Sequence, residues 1–190
     1  MCHKFLHESR FHLLLLAIDR EMARVFQQDG CQHCGGKLHQ ANYPRSPHGV
    51  PELFRDHYDS RFSFCCDTCR RRSTPATVRF FGRYWYVAPV LLLLSALALG
   101  LSERRRAQIK KYFGVTVPKS TWDRRREWWR NIFVKTPFWQ QKKGLCPPED
   151  ESRCSFPRHL FCLFKKPLDK KMTQLLQFLS PLTSGDLRAI

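Results

Sequence analysis

Acidic residues are scarce in this chain. Sixteen Asp and Glu stand against thirty-three Lys and Arg, giving a formal net charge of +17 and a pI near 9.9. An imbalance of that size draws a protein towards polyanions, nucleic acid first and an acidic membrane surface second. Phosphate-cradling glycine loops are missing: neither GxxxxGKS, GxxxxGKT nor GxGxxG occurs, so nucleotide binding has no support. GxSxG is absent, and so is any repeat at solenoid spacing. The opening MCHKFLHESRFHLLLLAIDR holds a four-leucine run cut short by Asp19 and Arg20, with no small-residue cleavage site. Nine cysteines without an export signal lead us to expect a reducing, cytoplasmic setting, where thiols bind metal or stay free.

Long hydrophobic runs are nearly lacking too. Tyr84–Leu101 is free of charge for 18 residues, the low edge of a bilayer span, but it contains Pro89 and Gly100. A helix starting at Pro89 runs only about a dozen residues, which suits a buried core helix. No membrane partner is therefore expected. With 43% hydrophobic and 13% aromatic residues, 190 residues suffice for one compact domain or two small modules.

Cysteine is plentiful, and it is placed with order. Cys31-Gln-His-Cys34-Gly-Gly is a knuckle: thiolates at i and i+3 bite one tetrahedral ion, and the glycines let the backbone turn beneath it. RFSFCCDTCRRR supplies the second pair. Cys66 and Cys69 repeat the i, i+3 spacing, whereas Cys65 would need a wider bite with Cys69. Alternation puts Phe62, Phe64 and Cys66 on one strand face and Cys65 on the other. The expected cofactor is one structural Zn²⁺ on Cys31, Cys34, Cys66 and Cys69, since four sulfurs leave no position for a reacting water. Thirty-one residues separate the two pairs, and His33, His39, His48 and His57 lie nearby as alternative ligands. Cys146, Cys154 and Cys162, with His159, leave a second metal site open, although they form no CxxC pair.

The fold expected is mainly α with a small β zinc ribbon, in four stretches. Residues 1–30 give an N-terminal helix, with Leu14, Leu15, Ile18, Met22, Val25 and Phe26 at three-to-four spacing and Asp29-Gly30 as its stop. Residues 31–83 form the ribbon and a basic strand, 84–143 a three-helix helix-turn-helix module, and 144–190 a linker and loose helical tail. Within the module, helices are expected over Pro89–Leu99, Ser102–Phe113 and Pro118–Phe133, with Gly114 in the turn and Val115 plugging the core. Between Glu103 and Lys143 thirteen Lys and Arg face three acids. Trp122, Trp129 and Phe133 should pack inward, leaving Lys119, Arg124, Arg125, Arg126 and Arg130 to meet duplex DNA, while Ser120 and Thr121 cap the helix or touch phosphate. Arg70, Arg71 and Arg72, with Arg79 and Arg83, are expected to extend the basic surface along the ribbon. A solvated basic face and an RNA partner remain open alternatives.

The phrases CQHCGGKLHQANYPR, RFSFCCDTCRRRSTPATVRFFGR and TPFWQ, with a Gly-Val turn before Ser-Thr-Trp-x-Arg-Arg, resemble the N-terminal DNA-binding region of bacterial insertion-sequence transposases and related transposase-like proteins. The likeness spans roughly residues 28 to 145. It implies sequence-specific DNA binding by a mobile-element accessory or regulatory protein, with a transposase or recombinase as partner. Such transposases continue into a nuclease domain with three separated acids holding two Mg²⁺ ions. The acids of the tail, Glu149, Asp150, Glu151, Asp169 and Asp186, do not offer that arrangement, and no catalytic residues are expected. A second expectation is an interaction module that docks a recombinase or polymerase through the ribbon and the apolar face Leu168, Met172, Leu175, Leu176 and Leu179.

Overall fold

The computed structural model describes residues 8–47, 49–50, 52–80, 107, 110–111, 116, 118–145, 156, 158–164 and 167–184. It is mostly helical, with a small antiparallel sheet. The chain divides into two compact units, Met1–Ala88 with Leu176–Ile190, and Pro89–Leu175.

The first unit opens with helix α1, Ser9–Asp29, which stops where Gly30 turns to φ 77° and donates its N–H to the Gln27 carbonyl. Of the expected apolar positions, Leu15 is buried and Ile18, Met22 and Phe26 are half-buried. Phe11, His12, Leu15, Asp19 and Ala23 are buried, whereas Leu14 and Val25 stay 47% and 43% exposed. The face is selected by polar partners as much as by apolar ones. His12 Nδ1 lies 2.8 Å from the Tyr58 hydroxyl, and its ring stacks on Phe54 at 4.4 Å. Asp19, one turn or two further along, accepts from the Val78 N–H and the Arg79 Nε, both at 2.7 Å, and from the Thr77 hydroxyl.

Five short strands follow. β1 (Leu38–Gln40), β4 (Phe64–Cys66) and β5 (Arg72–Ser73) form an antiparallel sheet in the order β1-β4-β5, with Leu38 opposite Cys66 and Cys65 opposite Arg72. β2 (Tyr43–Pro44) pairs with β3 (Ser60–Arg61) as a second ribbon, with Tyr43 opposite Arg61. The excursion between them carries a 3₁₀ turn, Glu52–His57, whose Phe54 supports His12. The core beneath the sheet is small: Ala23, Cys31, Leu38, Phe64 and Cys66, flanked by Phe26, Phe62 and Cys69. The expected alternation holds for Phe64 and Cys66, but Arg61 and Ser63 are buried as well, so both strand faces are covered.

Arg79 was expected on the basic surface. It is 2% exposed, because Asp19 neutralises it and the His57 and Ser60 carbonyls take its terminal nitrogens. Arg83 lies outside the described residues.

In the second unit, α2 (Lys119–Glu127) passes into a π-helical turn, Trp128–Ile132, and a 3₁₀ turn, Phe133–Lys135. Arg124, Arg125 and Arg126 occupy the last turn of α2, where the helix dipole favours cations. The π turn lets neighbouring tryptophans share one neighbour: Trp129 and Trp128 lie 4.8 and 5.6 Å from the Phe133 ring. Trp139 and Phe156 close the aromatic cluster at 5.3 and 5.5 Å from the same ring. α3 (Pro137–Lys142) starts with Thr136, whose hydroxyl caps the Trp139 N–H, and Pro137 at the position where a proline costs no hydrogen bond.

α4 (Leu168–Leu179) forms where the apolar spacing predicted it. Of the apolar face expected to dock a protein partner, Met172, Leu175, Leu176 and Leu179 are buried, and the Leu168 side chain lies outside the described residues. The Thr183 hydroxyl after it accepts the Thr77 N–H at 2.8 Å, and its carbonyl accepts from Arg61. No described helix is long and apolar enough to cross a membrane. Tyr84–Leu101 and the helices expected over Pro89–Leu99 and Ser102–Phe113, with Gly114 and Val115, lie outside the described residues, apart from exposed helical positions at Ala107, Lys110 and Lys111.

Candidate metal centre and basic surfaces

The two cysteine pairs meet. The sulfurs of Cys31, Cys34, Cys66 and Cys69 all lie within 4.8 Å of one another. Across the pairs, Cys31 and Cys69 are 3.6 Å apart and Cys34 and Cys66 3.4 Å. A disulfide would need about 2.05 Å, so these are four thiols gathered around one point, a donor set with the spacing to accept a single metal ion. Two turns of the same shape bring them there. In the first, the Cys31 N–H donates to the Gly36 carbonyl at 2.9 Å and Gly35 takes φ 72°. In the second, the Cys66 N–H donates to the Arg71 carbonyl at 3.0 Å and Arg70 takes φ 59°. The knuckles are thus related residue by residue, with Arg70 standing where the first knuckle has glycine. The register between them is fixed by the Asp67 N–H donating to the Lys37 carbonyl at 3.0 Å. Gly36 is needed for the close approach, since a Cβ there would lie 2.7 Å from the Thr68 hydroxyl and 2.9 Å from the Cys66 sulfur.

Electrostatics favour ionisation at one corner and oppose it at another. Backbone N–H groups, His33 first, draw the Cys31 thiol down to about 7 against burial. At Cys69 the Arg71 N–H pulls downward, but burial and the thiols of Cys31, Cys34 and Cys66 push it up to about 12. A bound cation removes that conflict by charge neutralisation. Cys65 is half-buried with its sulfur turned to the Cys66 and Arg70 carbonyls, outside the cluster, as strand alternation predicts. Among the nearby histidines, His33 accepts from Arg71 at 3.1 Å and His39 lies 3.8 Å from Asp67, so neither takes a sulfur's place. His48 lies outside the described residues, as do Cys146 and Cys154. His159 is buried, and the described residues place no second cysteine–histidine cluster around it.

The candidate DNA residues separate into groups. On α2 and the turn after it, Lys119, Ser120, Arg124 and Arg130 are exposed, while Thr121, Arg125 and Arg126 are half-buried. Arg126 is paired with Asp123. Pro118 holds the cap position and no side chain caps the helix, so Ser120 and Thr121 sit inside its first turn and do not cap it. Trp129 and Phe133 are buried beneath, as their spacing predicted. On the ribbon Arg70, Arg71 and Arg72 are all exposed, and the Arg72 Nη2 donates to the Ala41 carbonyl at 2.7 Å. Sequence reasoning missed Tyr43, Arg45 and Arg61, which gather beside Arg72. The cross-strand pairing that joins them has no local signal in so short a strand. No family model, curated protein or solved structure matches this chain.

Proposed function

We propose that this chain is a zinc-stabilised DNA-binding protein that uses a helix-turn-helix and a basic ribbon to hold duplex DNA, acting as an accessory or regulator of a mobile element. Zinc suits the donor set. Four thiolates about 2.3 Å from one Zn²⁺ at tetrahedral corners stand about 3.8 Å apart, close to the 3.6 and 3.4 Å separations across the pairs. The ion would be structural, held by Cys31, Cys34, Cys66 and Cys69, and would supply no chemistry beyond charge and cross-linking.

The observation that carries the DNA reading is the sidedness of the segment from Lys119 to Phe133. Its aromatic side, Trp129 and Phe133, is buried, and its cations Lys119, Arg124 and Arg130 are exposed. A helix with a fixed back and a cationic front fits a major groove, where arginine forks read guanine and neighbouring cations neutralise phosphate. The net charge of +17 supports the same partner. The mobile-element role rests on the resemblance in the knuckles and in the Ser-Thr-Trp-x-Arg-Arg stretch.

The test is selection from random duplexes by zinc-loaded protein at two salt concentrations, repeated with Arg124→Glu/Arg130→Glu. The wild-type chain should enrich a motif that survives the higher salt, and the double variant should lose it while keeping its metal and helicity. A folded variant that enriches the same motif would refute the assignment of this helix.

A further inference from the structure

We infer that the ribbon carries a phosphate clamp built on Tyr43, with Arg45 and Arg72 as its jaws and Arg61 as the charge behind them. The assignment rests on the DNA-binding reading above and deepens it, by naming where the ribbon would grip the sugar-phosphate backbone.

The clamp comes from three strands. Tyr43 is on β2, directly opposite Arg61 on β3, and Arg72 opens β5. Both jaws are oriented by one ring. The Arg45 guanidinium carbon lies 4.9 Å from the Tyr43 ring centre, and its Nη2 donates to the Tyr43 hydroxyl at 3.2 Å. The Arg72 carbon lies 5.8 Å from the same ring centre, with its Nη2 held by the Ala41 carbonyl. Long basic side chains usually lose freedom when they grip a ligand, and stacking on tyrosine takes part of that loss in advance.

Arg61 makes the place electrically unusual. It is 7% exposed, its Nη2 is spent on the Pro75 and Thr183 carbonyls, and its Nε has no partner among the described residues. Arg79, the other buried guanidinium of this unit, has Asp19; Arg61 makes no ion pair among the described residues, and nor does Arg72. A buried cation with no carboxylate in direct contact raises the potential at the surface above it, because the low dielectric around it screens poorly; the Asp19 charge that reaches Arg61 is shared with Arg79. Guanidinium forks match phosphate oxygens in geometry as well as in charge. The basic excess of the whole chain favours the polymer as the source of that phosphate.

The test uses the full zinc-loaded chain and a duplex of arbitrary sequence, with binding measured across a salt series. Arg72→Gln should weaken binding alike on every sequence and flatten the log K against log salt slope by ~0.9, the share of one phosphate. Arg72→Lys and Tyr43→Leu keep the charge and lose the fork or the platform. They should weaken binding while leaving the slope as it was. Metal content and circular dichroism show that each variant folds. Duplex binding by Arg72→Lys and Tyr43→Leu equal to wild type would overturn the clamp in favour of diffuse charge. So would loss of binding to phosphatidylserine vesicles or to inorganic phosphate in Arg72→Gln with duplex binding intact. If wild type binds duplex and only the α2 variants matter, the clamp fails and the DNA reading stands. If wild type binds no duplex, both fail.

Discussion

Removing the carboxylate of Asp19 should be the most damaging single change outside the metal centre. Asp19 and Arg79 are 1% and 2% exposed at their side chains and sit 2.7 Å apart. The carboxylate also holds the Val78 N–H at 2.7 Å and the Thr77 hydroxyl. In Asp19→Ala the Arg79 charge stays buried without a carboxylate, left to the His57 and Ser60 carbonyls and the Tyr58, Phe62 and Phe80 rings, and two further donors lose their acceptor. Stranding one member of a buried pair costs about 3–5 kcal/mol, a large share of the roughly 5–15 kcal/mol that holds a domain together. Replacing both partners is another matter. Asp19→Ala/Arg79→Met exchanges the pair for apolar volume, a change that is often near neutral. Urea unfolding of the zinc-loaded protein would close the cycle. Each single variant should lose about 3–5 kcal/mol, and the double variant far less than their sum. Additive losses, or a loss below about 1 kcal/mol in Asp19→Ala, would show that the pair is not what ties α1 to residues 77–79.

Three further outcomes follow from the ribbon. Cys66→Ser should release the metal and unfold the ribbon, whereas Cys65→Ser should keep one ion per chain; mass spectrometry under native conditions reads both. Metal affinity should fall throughout the descent from pH 8, because the Cys69 thiol must give up a proton to bind, and more steeply below about 7, where the Cys31 thiol regains the proton its N–H contacts had helped remove. The sign is that of a depressed acid: stabilisation is present above its ordinary value and lost on acidification through the shifted one, and a metal-indicator competition from pH 8 to pH 6 measures it. Arg70→Gly should leave stability unchanged or raised, since relief of a left-handed side chain (about 1–2 kcal/mol) outweighs or matches the added freedom of the unfolded chain (about 0.4–1 kcal/mol). Duplex binding should drop at the same time. A clear loss of urea stability in Arg70→Gly would contradict the strain.

The four-cysteine cluster was legible because two knuckles announce themselves by spacing, and i, i+3 thiols with a turn have few other uses. Helices α1 and α4 were legible from period, and so was the placement of Trp129 and Phe133. The buried face of α1 was legible in part. Spacing picked out Leu15, Ile18, Met22 and Phe26 but also the exposed Leu14 and Val25, and it missed His12 and Asp19, whose partners Tyr58, Thr77 and Arg79 lie 46 to 60 residues away. Arg79 was read as surface for the same reason: an arginine in a basic stretch looks solvated until its carboxylate is found. The short strands hid the grouping of Tyr43, Arg45 and Arg61, since a two-residue pairing has no periodicity to detect.

The first unit adds three fastenings to its apolar core. Beneath the sheet that core is a cluster of five buried residues with three partly buried ones at its edge, and Phe11, Leu15, Phe54, Tyr58, Val78 and Phe80 are buried elsewhere in the unit. Four thiols within 4.8 Å of one another bring the two knuckles together. The Asp19–Arg79 pair with Thr77 and Val78 fixes residues 77–79 to the middle of α1. His12 with Tyr58 and Phe54 fixes the excursion to its start, where burial pushes the Tyr58 phenol well above its ordinary value and so keeps it neutral. Polar fastening of this kind leaves the exterior free for charge. Among the described basic residues of the unit, Arg61 and Arg79 are buried, while Arg70, Arg71 and Arg72 remain exposed beside the second knuckle. Cations can be crowded on one face only where other interactions offset their mutual repulsion, and these fastenings supply part of that offset.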